Sequence, residues 1–221
     1  SCADSTYRSA PERLLASSLG SYKSSNLNCG ATSSYNLTAQ QGTISGGAAG
    51  ATYFTYNGVV PGETLCVLPG ESLEIQLTNS LDGITEDDMK NFTPPLSNSA
   101  GDGTATINYE GLDELAAKTS ITNMHTHGLH VSPSNLQDNV LLQINPGKTA
   151  NYKIDLPSYH APGTHWYHAH LHGGTAVQVQ GGMAGPIIVQ ETAQTKQTPI
   201  AHLPLTHEYL VLKQNGEGYV D

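Results

Sequence analysis

The stretch Thr64-Leu65-Cys66-Val67-Leu68-Pro69-Gly70-Glu71-Ser72-Leu73-Glu74-Ile75-Gln76-Leu77-Thr78 sets the class of fold. Leu73, Ile75 and Leu77 alternate with polar residues. Successive side chains of an extended chain point to opposite faces, so these three share one face, as a half-buried strand requires. Pro69-Gly70 is turn chemistry, and it separates this run from a second one over 64–68. Outward from there the same grammar repeats. Residues 35–44 and 52–56 read as strands around a Gly-rich turn at 46–50, with Asn57-Gly58 and Pro61-Gly62 as tight turns after them. Downstream, strand character returns at 121–131, 140–144, 149–156 (after Pro146-Gly147), 163–170 and 184–190. Short strands about every ten residues with Gly and Pro between them predict an all-β sandwich or barrel.

Composition agrees. The 221 residues include 23 Gly and 12 Pro but only 13% charged residues, which disfavours helical bundles and coiled coils. Nine Lys+Arg against 19 Asp+Glu give a net charge of −10, so phosphate backbones and anionic lipid would repel the chain. No nucleic-acid partner is expected. No run approaches the roughly 18 apolar residues of a membrane-spanning helix, so no membrane span is expected.

Three segments stand apart from the β region of 35–190. Residues 1–34 read as an N-terminal extension with a short helix over 11–19. Residues 80–120 form a long acidic insertion, with Asp82, Glu86, Asp87, Asp88, Asp102, Glu110, Asp113 and Glu114 and a short helix over 112–118. It reads as a solvated loop, with a lid or interface element as the functional alternative. Residues 191–221 read as a linker followed by a strand over 207–212, the start of a further domain.

Cys2, Cys29 and Cys66 are far apart and form no CxxC pattern, which excludes a zinc ribbon. One disulfide plus a free thiol, or three buried thiols, both fit the count. In an exported protein one bridge including Cys29 is expected. The sequence begins at Ser1 rather than Met, read as a removed leader or a trimmed chain, and Cys2 would then suit a bacterial lipid anchor.

Eight of the ten histidines lie between 125 and 172, in two clusters: His125-Thr-His127-Gly-Leu-His130 and His165-Trp-Tyr-His168-Ala-His170-Leu-His172, with His160 nearby. On a strand an HxH pair sends both rings to one face, about 6.6 Å apart at about 3.3 Å per residue. Two such strands side by side surround a space for metal, and neutral imidazole suits copper, zinc, iron and nickel alike. Alternation does not let every ring face that space, so His130, His160, His165 and His172 are expected in supporting or packing roles. A metallo-hydrolase HxHxDH motif fails because Leu129 stands at its Asp position. GxSxG and GxxxxGK[ST] are absent.

His125-Thr-His127-Gly followed by Gly163-Thr-His-Trp-Tyr-His168-Ala-His170-Leu-His-Gly resembles the first two copper motifs of the multicopper oxidases, the laccase-like enzymes. The frame Asn57-Gly-Val-Val-Pro-Gly-Glu-Thr, Leu68-Pro-Gly-Glu-Ser-Leu and Gly181-Gly-Met-Ala-Gly-Pro-Ile-Ile-Val resembles them too. The resemblance implies an all-β, cupredoxin-like Greek-key β-sandwich with the acidic insertion, acting as the amino-terminal cupredoxin domain of such an oxidase. It implies His125 as a type 2 copper ligand and His127, His168 and His170 as type 3 ligands, half of a trinuclear cluster that reduces O2 to water. Asp138 matches an acidic residue that supports the cluster and relays protons. Thr126 departs from the family, which commonly has Trp there.

The resemblance implies that the family's last domain supplies the other four cluster histidines and a His-Cys-His segment, and none of the three cysteines here is flanked by histidines. The type 1 copper, which needs a Cys thiolate and two His, is therefore expected to be absent, and the chain alone to be inactive. The partners implied are further cupredoxin domains or a second chain carrying those motifs, O2, and a small reducing substrate: a phenol, an aromatic amine or a metal ion. A periplasmic or secreted location follows from the same resemblance. The alternative is a stand-alone periplasmic or secreted copper-binding module for storage, delivery or tolerance, without turnover.

Overall fold

The structure is a computed structural model that describes residue 29 and residues 33–45, 52–82 and 118–192. The expected helix over 11–19, the strand over 207–212, Cys2 and nearly all of the acidic insertion lie outside the described residues.

Among the described residues, eight strands form two four-stranded sheets. They are β1 (Ser33–Gly42), β2 (Tyr53–Tyr56), β3 (Leu65–Val67), β4 (Ser72–Ser80), β5 (His125–His127), β6 (Thr149–Asp155), β7 (Gly163–His168) and β8 (Ala184–Val189). One sheet has the order β2-β1-β4-β6 and the other β3-β8-β7-β5. The β1–β4 and β3–β8 pairs are parallel and the rest antiparallel. From β2 to β7 each strand switches layer, while β1–β2 and β7–β8 pair within one sheet, as in the expected all-β sandwich.

Alternation in the sequence becomes layering in space. Leu73, Ile75 and Leu77 of β4 are buried, as are Ala150, Tyr152 and Ile154 of β6, whose intervening residues are exposed. They form one core with Leu37 of the same sheet and Leu65, Val67, Tyr167, Ile187 and Val189 of the other. Each such aliphatic side chain removed from water contributes about 1.5–3 kcal/mol, which makes this shared layer the main force holding the sheets face to face.

The turns follow their residue types. Glu71 N–H donates to the Leu68 carbonyl (3.1 Å) across Pro69-Gly70, and Lys148 N–H donates to that of Asn145 (3.0 Å) across Pro146-Gly147. Gly70 and Gly147 have φ of 84° and 73°, the third-position conformation of a type II turn that Gly adopts without a Cβ clash. Cys29 and Cys66 form a disulfide, so the bridge includes the expected member. It ties the segment before β1 to β3, beside Ile188. Closing a loop of 37 residues restricts the unfolded chain by about 4 kcal/mol in the chain-entropy account.

Two strand expectations need correction. Within 140–144 only Ile144 pairs, as an isolated bridge to Thr122. The carbonyls of Val140 and Leu142 are instead taken by the Asn123 side-chain amide, and Leu141 is exposed. The apolar run is a loop held by a side chain. The strand expected over 121–131 shrinks to His125–His127, because Gly128 turns the chain away at φ 91°. A helix, α1 (Thr175–Gly181), had no expectation attached to it, and its Val- and Thr-rich composition favours strands. Tertiary bonding decides it. Buried Gln178 accepts from the Thr122 hydroxyl (2.9 Å) and donates to the carbonyls of Thr119 (3.0 Å) and Ile121 (2.7 Å), which docks the helix on the approach to β5.

Candidate metal centre

The centre is built on the β5–β7 pair. His125 lies opposite His168, Thr126 opposite Tyr167, and His127 opposite Trp166. Period-two alternation turns Thr126 and Tyr167 inward, where both are buried, and leaves His125, His127, Trp166 and His168 on the other face. His125, His127 and His168 each bring a ring nitrogen within 4.8 Å of the others. His170 lies two residues beyond the last paired residue, with its ring centroid 5.0 Å from that of His125 and 5.7 Å from that of His168. The structure therefore gathers all four expected ligand histidines, three of them as a tight triad.

Hydrogen bonds decide which nitrogens face the space between the rings. A carbonyl only accepts, so His168 Nδ1 carries a proton and donates to the Ala169 carbonyl (2.9 Å), leaving Nε2 with its lone pair. Burial, followed by the neighbouring His125, His170 and His127, holds the His168 pKa below the ordinary histidine value and keeps the ring neutral. His125 Nδ1 lies 2.9 and 3.0 Å from the two oxygens of Asp138, and the Thr126 N–H donates to that carboxylate (2.7 Å). Burial pushes the Asp138 carboxyl up, but the His125 and Thr126 hydrogen bonds outweigh it and its pKa lies below the ordinary value. An ionised carboxylate accepts, so His125 Nδ1 is its donor and Nε2 is turned outward, the usual arrangement of a metal-binding imidazole.

The donor set fits a metal ion. His127 Nδ1 and His168 Nε2 are 3.4 Å apart. Two imidazole nitrogens about 2.0–2.1 Å from one ion at a near-tetrahedral angle are roughly 3.3–3.4 Å apart. Imidazole-only donors suit copper, zinc, iron and nickel alike. Trp166 stacks on both rings, 4.9 Å from His127 and 4.2 Å from His168, and fixes their planes.

The remaining histidines behave differently. His160 is buried, accepts the His130 N–H at Nε2 (3.0 Å) and donates from Nδ1 to the Ala161 carbonyl (2.8 Å). Both of its nitrogens are committed to backbone. His130 and His165 pack on it at 5.4 Å. His172 is exposed on the turn before α1. Asn123, absent from the sequence expectations, is fully buried beneath the site. Its only signal in the sequence is a polar residue two places before His125.

Residues 112–194 match the sequence model of the multicopper oxidase family. Laccase-2 of Botryotinia fuckeliana is 27% identical over 170 residues, 75% of this chain and 22% of its own length. The iron transport multicopper oxidase of Kluyveromyces lactis is 33% identical over 104 residues, 45% of this chain and 14% of its own. The solved structure of a multicopper oxidase from Campylobacter jejuni, described as a metallo-oxidase, superposes with a TM-score of 0.52 at 24% identity, over 78% of this chain and 28% of the other. The chain thus matches 22% and 14% of the length of these two curated relatives. The fold is all-β and cupredoxin-like. The likeness to the laccase-like multicopper oxidases is carried by residues 112–194, 83 of the 221.

Proposed function

We propose that this domain supplies half of a trinuclear copper cluster at which O2 is reduced to water while phenols, aromatic amines or metal ions are oxidised. One observation carries the reading: the β5–β7 register brings His125, His127 and His168 within 4.8 Å, with His170 beside them. His125 is the type 2 ligand in this reading, and His127, His168 and His170 are type 3 ligands. Copper, when bound, supplies the one-electron redox chemistry. The protein's own residues hold and orient. Asp138 keeps the His125 proton on Nδ1 and serves as the acid–base group through which protons reach the site, and its depressed pKa keeps it ionised between transfers. Trp166 and the backbone bond of His168 keep two rings aligned.

His127 and Trp166 remain exposed, which suits a site completed by further cupredoxin domains or a second chain carrying HxxHxH and His-Cys-His segments. Cys29 and Cys66 are spent in a disulfide, so neither offers a thiolate to a type 1 copper. Electrons then enter through the partner, and the chain alone does not turn over. The disulfide also favours an oxidising compartment, periplasmic or secreted.

Copper titration of the full chain followed by electron paramagnetic resonance tests the reading. The expected result is bound cupric ion with nitrogen hyperfine structure, lost in the His127→Ala/His168→Ala double variant. A folded chain that takes up no copper overturns it.

A further inference from the structure

We infer that Asn123 is a positioning residue that locks the turn carrying His170 to the loop carrying Asp138, an inference that rests on the copper reading above. Two halves of the site have no strand of their own. Extending the β5–β7 register beyond His125–His168 would place Asn123 opposite His170, but the ladder stops at His168. The Asn123 side chain takes over at that position: its Oδ1 accepts the His170 N–H at 2.8 Å. The loop that carries Asp138 likewise lacks a strand partner at Val140 and Leu142, and Asn123 Nδ2 donates to both carbonyls, at 2.8 and 3.0 Å.

A primary amide has two N–H donors and one carbonyl, and here all are used. The side chain is fully buried, so water cannot substitute for it. One residue therefore bonds to segments 17 to 47 positions away in sequence, each bearing a different part of the site. No other natural side chain of this size supplies two donors and an acceptor together. Asp keeps the acceptor alone, which lets the two connections be separated. His125, His127 and His168 are held by the β5–β7 ladder and by Asp138 and Ala169, so the triad's own strand pairing does not depend on Asn123.

The test uses the full chain with two substitutions and two readouts. In the copper-free protein, exchange of the His170 amide proton and the His125 Nδ1 proton resonance report the two connections. Copper affinity reports the assembled site. Asn123→Ala is expected to release the His170 amide to exchange, shift the His125 Nδ1 signal, and lower copper affinity about 10–100-fold, the usual effect of losing a group that orients ligands. The His160 ring signals stay in place, which a general loosening of the fold would not allow. Asn123→Asp is expected to retain His170 protection while still shifting His125, and it carries the test if the Ala variant does not fold. Unchanged His170 exchange and copper affinity in Asn123→Ala overturn the inference. A wild-type chain that takes up no copper overturns the copper reading instead, and the copper-free signals still decide whether Asn123 couples the two segments.

Discussion

Two groups of histidines lie around the same pair of strands and have opposite characters. His125, His127 and His168 turn ring nitrogens toward one another, with their outer sides held by Asp138, Trp166 and the Ala169 carbonyl. His130, His160 and His165 stack at similar ring distances, but the nitrogens of the central ring are committed to the His130 N–H and the Ala161 carbonyl. Proximity of imidazoles is therefore not what separates a ligand set from a packed cluster. The separation lies in the nitrogens: His160 commits both of its own to backbone, whereas His125 and His168 each commit Nδ1 and leave Nε2 toward the other rings.

The largest effect that could break this contrast is at His168. His168→Ala should lower copper affinity by more than about 100-fold, beyond the range for an orienting residue, as measured by competitive titration. Retained affinity would mean that the triad is not the ligand set. Asp138→Ala removes the carboxylate behind His125 and should cost about 10–100-fold in the same assay, with the fold intact by circular dichroism. In the packed cluster the pattern should invert. His160→Ala leaves the His130 N–H without its acceptor and should cost about 1–2 kcal/mol in urea unfolding, with copper affinity unchanged. A loss of copper there would merge the two groups into one site.

The smallest effect is a pH slope at His165. Burial, then the adjacent His160 and His130, holds its folded pKa below the ordinary value near 6.5. The unfolded chain then binds more protons than the folded one as pH falls through that interval. Stability from this group is complete above about pH 6.5 and declines on acidification toward the folded pKa. His165→Gln should flatten that part of the copper-free stability profile, and an unchanged slope would assign the dependence elsewhere.

Most of the sandwich was legible because alternation and turn chemistry are local. Leu73, Ile75 and Leu77 announce their face, and Pro69-Gly70 and Pro146-Gly147 announce their turns. The HxH spacing carries the centre in the same way, since it needs only a strand. What escaped depends on partners distant in sequence. Residues 140–144 look like a strand until Asn123 removes their carbonyls from any ladder. Thr175–Gly181 carried no expectation, and it is helical because Gln178 bonds to the backbone before β5. Alternation already sets His130 and His165 apart from the ligands, but it does not show that they pack on His160, which accepts the His130 N–H. Two of the misses are a buried side-chain amide bonding across the fold, which no local pattern encodes, and the early end of β5 is the positive φ of Gly128.

Trp166 is the single tryptophan of the chain, and its indole lies flat against two of the rings in the centre. The molecule thus carries its own optical probe at the point of greatest interest. Emission excited at the red edge of the absorption band comes from that indole alone. A paramagnetic ion entering between the rings would quench it by direct electronic contact, whereas a diamagnetic ion of the same charge would leave it bright.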